Sequence, residues 1–187
     1  MTRLAAPTIP IKSKFMILCA GGGYASVCSM AEAYQVTKRL NQMGYSVFVV
    51  LYRAEKGAKA PNPMDNLAQA IRFILQHTKE FQIEATDYTI AGFSAGGHLA
   101  AAMGTQELGY IHYRLPKRGA LFLTYPVITM GAKTHKGSRR NLLGRYHSSD
   151  QMLIGKYSIE KQITTSHPPH LSGNFSRMTL FQLKIRR

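Results

Sequence analysis

Residues 88–103 read YTIAGFSAGGHLAAAM, and this stretch decides the fold. Tyr88 to Phe93 is a short apolar run of the kind that forms a strand buried on both faces. Ala95 to Met103 is small and apolar, which suits a helix lying close on a sheet. At the junction, Gly92-Phe93-Ser94-Ala95-Gly96 fits G-x-S-x-G. The chain must turn sharply there from strand into helix, and a side chain at either glycine would strike the neighbouring element. The strained turn pushes the Ser94 hydroxyl into the open, so Ser94 is the predicted nucleophile. A serine in an ordinary glycine-rich turn would need neither the strand before it nor the small-residue helix after it.

Working outward, the same alternation recurs. Phe15 to Ala20 (FMILCA) reads as a buried strand running into three glycines. Ala33, Val36, Leu40 and Met43 recur at helical spacing over 31–43, and Gly44 stands at the C-terminal cap position. Tyr45 to Tyr52 is β-branched and aromatic, hence strand. Asn62-Pro63 opens another helix, with Asn62 as N-cap, Asp65 in the first turn and a buried stripe at Ala68, Ile71, Ile74 and Leu75. Leu121 to Tyr125 is a fourth strand. Strands alternating with helices predict an α/β three-layer sandwich with a mostly parallel sheet. After about Gly131 the pattern degrades: 135–145 is polar and basic, and short helices are expected near 150–154 and 158–162.

Attack on an ester carbonyl creates an oxyanion, which needs backbone N–H donors fixed in advance. One is expected from Ala95, the residue after the nucleophile, and the other from the loop after the first strand. That loop is Gly21-Gly22-Gly23-Tyr24, with Gly22 and Gly23 the expected donors. A phosphate-binding loop is the rival, but neither G-x-G-x-x-G nor G-x-x-x-x-G-K-[ST] is present. Tyr24 either lines the acyl pocket or packs. His98 lies four residues after Ser94 on the same helix. It reads as structural, because the base in such sites arrives from a loop far along the chain.

The 187 residues suit one domain. The run at Phe15 to Ala20 is too short to span a bilayer. Pro7 and Pro10 fall where the apolar core of a signal peptide would lie, so a cytoplasmic location is expected. Cys19 and Cys28 are then expected to be free thiols. The net charge is +15, and residues 112–187 carry 14 of the 24 basic side chains against only 2 of the 9 acidic ones. Such a block raises a second hypothesis, a non-catalytic scaffold for nucleic acid or acidic surfaces. No nucleic-acid motif accompanies it, so Lys133, Lys136, Arg139 and Arg140 are expected on a solvated face, with neither nucleic acid nor membrane as partner.

CAGGGY, GYSVFVVLYR, AGFSAGGHLAA, YPVIT, GSRRNLLG and SIEKQIT together resemble the small acetyl-esterase branch of the α/β-hydrolase superfamily, which includes xylan acetylesterase-like and feruloyl-esterase-like proteins. The resemblance covers about 15–169. It implies a short-chain acyl ester, such as that of an acetylated sugar, as the small-molecule substrate, and neither metal nor organic cofactor. It also implies Asp and His on loops after two later strands. No acidic residue follows Glu160 and no histidine follows His170. The expectation is therefore an incomplete domain over 1–169, lacking the last strands and final helix, with Leu121 to Tyr125 as an unpaired edge. Asp150 with His167 or His170 has the right chain order for a makeshift triad, on loops that do not match the family's. Residues 170–187 read as a frameshifted tail. Codons taken one base back from Pro169 are compatible with Pro-Pro-Thr-Phe-Ile-Trp, four further residues, then Asp-Asp-Pro-Val-Pro-Ile-Glu-Asn-Ser, a strand followed by an acid loop.

Overall fold

A computed structural model of the chain describes residues 13–117 and 119–173. Its centre is a five-stranded, all-parallel sheet. The strands are β1 (Phe15–Cys19), β2 (Ser46–Val49), β3 (Thr89–Phe93), β4 (Ala120–Thr124) and β5 (His170–Gly173), in the order β2-β1-β3-β4-β5. The register aligns Cys19 with Gly92 and Phe93 with Thr124, so the chain leaves β1, β3 and β4 at one end of the sheet. In open parallel sheets ligands bind beyond such carboxyl ends.

The helices follow the sequence reading, with shifts at their ends. Ser29–Ala33 is a turn of π-helix that leads into α1 (Tyr34–Gln42), and Gly44 takes the left-handed φ of 87° expected of its cap position. α2 (Asn62–Gln76) buries Leu67, Ala68, Ile71 and Ile74. Asn62 is its first residue, not its cap, and donates its side-chain amide to Gly57 O. α3 is Ser94–Ala102, and every residue of it after Ser94 is buried. α5 (Gln151–Tyr157) and a 3₁₀ turn (Ile159–Lys161) replace the two short helices expected nearby.

One element is added to the sequence reading and one expectation is corrected. The polar 135–145 segment contains a true helix, α4 (Lys136–Leu143), which buries Ser138, Leu142 and Leu143. Its Ser138, Arg139 and Asn141 bond within the fold, and such polar contacts carry no hydrophobic period. β4 is also not an unpaired edge. Leu121↔His170 through Thr124↔Gly173 pair in parallel, with Leu121 N–H donating to Pro169 O at 3.0 Å and Tyr125 N–H to Gly173 O at 2.7 Å. The backbone of His170–Gly173 supplies these bonds whatever its side chains are, and all four residues of β5 are exposed. The acid loop expected from the shifted codons falls after Gly173, outside the described residues. Cys19 is a buried free thiol, pushed up to about 12 by burial, and Cys28 is exposed and free.

Candidate active site

Glycine makes the elbow possible. A Cβ on Gly92 would lie 2.2 Å from Gly96 O, and one on Gly96 would lie 2.2 Å from Cys19 O. Neither distance admits a carbon atom, so strand and helix meet this closely only with glycine at both positions. Between them Ser94 holds φ at 50°, a left-handed conformation that a serine tolerates only when its surroundings impose it. Ser94 sits at the first position of α3, where the amides of the opening turn lack helical partners. Ala95 lies next in that turn and is fully buried.

The glycine loop faces this turn. A Cβ on Gly21 would fall 2.8 Å from Ser94 Cβ and 2.9 Å from Glu32 Oε2, so nucleophile and carboxylate flank one point of the loop. Gly22 (φ 120°) and Gly23 (φ 63°) take conformations that favour glycine. The loop is tied down from several sides. Gly22 O accepts from the amides of Ala25 (3.0 Å) and Ser26 (3.2 Å). Gly23 O accepts from Asn141 Nδ2 at 2.9 Å, reaching in from α4. Gly21 N–H donates to Glu32 Oε2, and Glu32 Oε1 accepts from Tyr125 Oη at 2.7 Å. The Glu32 carboxylate thus braces the ends of β1 and β4 beside Ser94. Burial, and then Glu32, hold the Tyr125 hydroxyl well above its ordinary pKa.

Sequence reasoning left Tyr24 open between lining the acyl pocket and packing, and in the structure it is packed in the interior. Tyr24 is fully buried. Its Oη lies 2.8 Å from His98 Nδ1, and His98 Nε2 lies 2.8 Å from Tyr157 O. A carbonyl only accepts, so Nε2 carries the proton and Nδ1 accepts from the tyrosine. Burial holds the His98 imidazole down at about 4, which keeps it neutral. His98 is structural, as expected: it ties the loop after β1 to the end of α5.

The makeshift triad does not assemble. Asp150 caps α5, and its Oδ1 accepts from the amides of Met152 (2.8 Å) and Leu153 (3.3 Å). His167 lies beyond the other end of α3, where a Cβ on Gly104 would meet its Nε2 at 2.5 Å. At 1.5 Å per residue that is about 15 Å along the helix from Ser94. His170 opens β5 opposite Leu121, about 10 Å down the sheet from the level of Thr124 at 3.3 Å per residue.

The bracing residues that sequence reasoning missed are Glu32, Asn141, Arg139 and Ser158. Arg139 was expected on a solvated face, yet its Nη1 donates to the carbonyls of Met130 (3.1 Å) and Gly131 (3.2 Å). Ser158 Oγ accepts from Met130 N–H at 3.0 Å. GSRRNLLG therefore braces the glycine loop through Asn141, and GSRRNLLG and SIEKQIT together hold the segment at Met130–Gly131 through Arg139 and Ser158. A polar residue whose spacing matches no amphipathic face is the only signal that could have marked them.

Three comparisons bear on this geometry. The sequence is 35% identical over 162 residues to an acetylxylan esterase of Xylanibacter ruminicola, across 84% of this chain and 32% of that one. It is 29% identical over 171 residues to endo-1,4-β-xylanase B of Butyrivibrio fibrisolvens, across 85% of this chain and 26% of that one. The chain thus spans a third or less of the length of the curated relatives it matches. Among solved structures, the acetyl ester-xyloside bifunctional hydrolase from Caldicellulosiruptor lactoaceticus superposes with a TM-score of 0.77 at 30% identity, over 88% of this chain and 62% of that one. The carboxylesterase Cest-2923 from Lactobacillus plantarum WCFS1 shares the fold at TM-score 0.72 and 23% identity, over 93% of this chain and 64% of that one. No helix among the described residues is long and apolar enough to cross a membrane. The family model for BD-FAE matches residues 6–113, more than half of the sequence, and the chain belongs to that family.

Proposed function

We propose that this chain carries the nucleophile and oxyanion loop of a carboxylic-ester hydrolase, acting on a short-chain acyl ester, with Ser94 as the residue acylated. The observation that carries this reading is Ser94 at φ 50° on the glycine-flanked turn from β3 into α3, directly beside Gly21. Ser94 Oγ attacks the acyl carbon, its proton passes to water, and the carbonyl electron pair moves onto oxygen. Gly21 N–H is committed to Glu32, so the amides of Gly22, Gly23 and Ala95 are left to hold that oxyanion. Collapse expels the alkoxide, which takes a proton from water, and leaves an acyl-serine, which water hydrolyses to the acid and free Ser94. The names of the relatives, an acetylxylan esterase and an acetyl ester-xyloside hydrolase, support an acetyl group on a sugar as the ester.

Neither His167 nor His170 stands near Ser94, and Asp150 is engaged as a helix cap. Ser94 is therefore a slow nucleophile in this chain. An oxyanion hole and binding alone give about 10³-fold over water. The test is labelling with a fluorophosphonate probe alongside turnover of p-nitrophenyl acetate. Slow labelling, lost in Ser94→Ala, and turnover just above background are expected. Turnover that survives Ser94→Ala would overturn the reading.

A further inference from the structure

The Ser94 proton needs an acceptor, and the imidazoles closest to the turn are already engaged. His98 is neutral, but its Nδ1 is bonded to Tyr24 Oη and its Nε2 to Tyr157 O. His135 reaches the glycine loop, where a Cβ on Gly23 would meet its Cε1 at 3.6 Å. Its Nδ1 accepts from Ser138 N–H at 3.2 Å, so Nε2 carries the ring proton and the ring offers no acceptor. Among the described residues, Glu32 is the carboxylate placed at this turn.

A Cβ on Gly21 would lie 2.8 Å from Ser94 Cβ and 2.9 Å from Glu32 Oε2. Those distances hold Glu32 Oε2 within about 6 Å of Ser94 Cβ, and one water making two O–H···O bonds spans about 5.5 Å. Glu32 and Ser94 are both partly exposed, so water reaches them. The carboxylate is also fixed in direction. Its Oε2 accepts from Gly21 N–H and its Oε1 from Tyr125 Oη at 2.7 Å. A carboxylate has about four lone pairs, so each oxygen keeps one for a further donor. The backbone adds to this aim. Glu32 lies in the π-helical turn Ser29–Ala33, its N–H donating to Cys28 O at 3.0 Å, and such single turns recur at functional sites.

We propose that Glu32 is the general base of this chain, acting on Ser94 through one water. The proposal rests on the Ser94 reading and says where its proton goes. As Ser94 Oγ bonds to the acyl carbon, its proton passes to the water and a water proton passes to the Glu32 carboxylate. When the bond to the alcohol oxygen breaks, the carboxylic acid returns that proton through the water to the leaving alkoxide. In the second half the carboxylate takes a proton from the water that attacks the acyl-serine. It gives that proton back to Ser94 Oγ as the acid leaves. A carboxylate is a weaker base than an imidazole, which keeps the reaction slow.

The test measures the rate of Ser94 labelling by a fluorophosphonate in the whole chain, unsubstituted and as Glu32→Gln and Glu32→Asp. The amide keeps the brace, because its oxygen accepts from Gly21 N–H and its NH₂ donates to Tyr125 Oη, but it removes the base. The shorter acid keeps the base and loosens the brace. Labelling about tenfold slower in Glu32→Gln is expected, with Glu32→Asp faster than Glu32→Gln. A purely structural role gives the opposite order, and that order would overturn the proposal. Glu32→Ala should regain rate with added propionate and regain less with chloroacetate, which is similar in size and a weaker base. Equal rescue by the two also overturns the base. Chromatography and far-UV dichroism confirm that each variant is folded, and Glu32→Gln remains informative if the shorter variants do not fold. Ser94 labelled at an unchanged rate in Glu32→Gln refutes the base and leaves the Ser94 reading intact. Labelling that survives Ser94→Ala refutes that reading, and the base with it.

Discussion

The two sides of β3 are built on different principles. On the β1 side, the elbow is a close approach of backbones: Gly96 touches Cys19 O, Gly92 touches Gly96 O, and Gly21 lies against Ser94. Toward the far edge, β5 meets β4 through ladder bonds between strands, its four residues exposed. In the first region each position admits almost one residue type. In the second, the backbone suffices and nearly any side chain is tolerated. Constraint by contact, not by secondary structure, therefore sets the elbow apart from the rest of the sheet.

Adding a single carbon to the elbow should break this contrast most severely. Gly96→Ala places Cβ 2.2 Å from Cys19 O, with backbone on both sides and nothing flexible to yield. A loss of about 4 kcal/mol or outright failure to fold is expected in urea denaturation, whereas Gly173→Ala, whose Cβ meets nothing within 4 Å, should leave the midpoint unchanged. Equal midpoints for the two variants would erase the distinction.

A second difference is electrostatic and pH-dependent. His98 titrates near 4 in the fold and near its ordinary 6.5 when unfolded. Between those values the unfolded chain binds the extra proton, so stability is fully present above pH 6.5 and is lost as pH falls toward 4. The loss from this group is about 3 kcal/mol. His98→Asn should be less stable at pH 7 and should flatten that slope, measured as unfolding free energy against pH. An unchanged slope would mean that His98 is not held neutral.

Removing charge from the brace sharpens the comparison within the site. Glu32→Gln keeps the shape but replaces a charge-assisted acceptor of Gly21 N–H by a neutral one. A loss of about 1–2 kcal/mol and an upfield move of the Gly21 amide proton are expected. An unmoved amide resonance would show that the carboxylate does not hold the loop. The smallest effect belongs to β5. Ser172→Pro, in an exposed strand at a position whose N–H points away from β4, should cost about 1 kcal/mol and leave the rest of the sheet folded. Cooperative unfolding of the whole domain would show that the far edge is as constrained as the elbow.

Strand and helix order, the parallel sheet, Ser94 and the glycine loop were all legible in the sequence, because each is local: a period, a cap or a five-residue turn carries its own signal. The missing pieces are long-range. Nothing near Glu32 announces that it will meet Tyr125, 93 positions on, nor near Asn141 that it will reach Gly23, 118 positions back. Asp150 and His167 show the converse. Their order along the chain suits a triad, and only the tertiary structure places the one on a helix cap and the other beyond the far end of α3. The amino-acid sequence by itself determined where the backbone must bend and which hydroxyl is presented there, because steric exclusion at glycine acts between near neighbours. The tertiary structure alone decided which polar side chains brace that turn and which remain remote, because a hydrogen bond depends on distance in space and carries no signature along the chain.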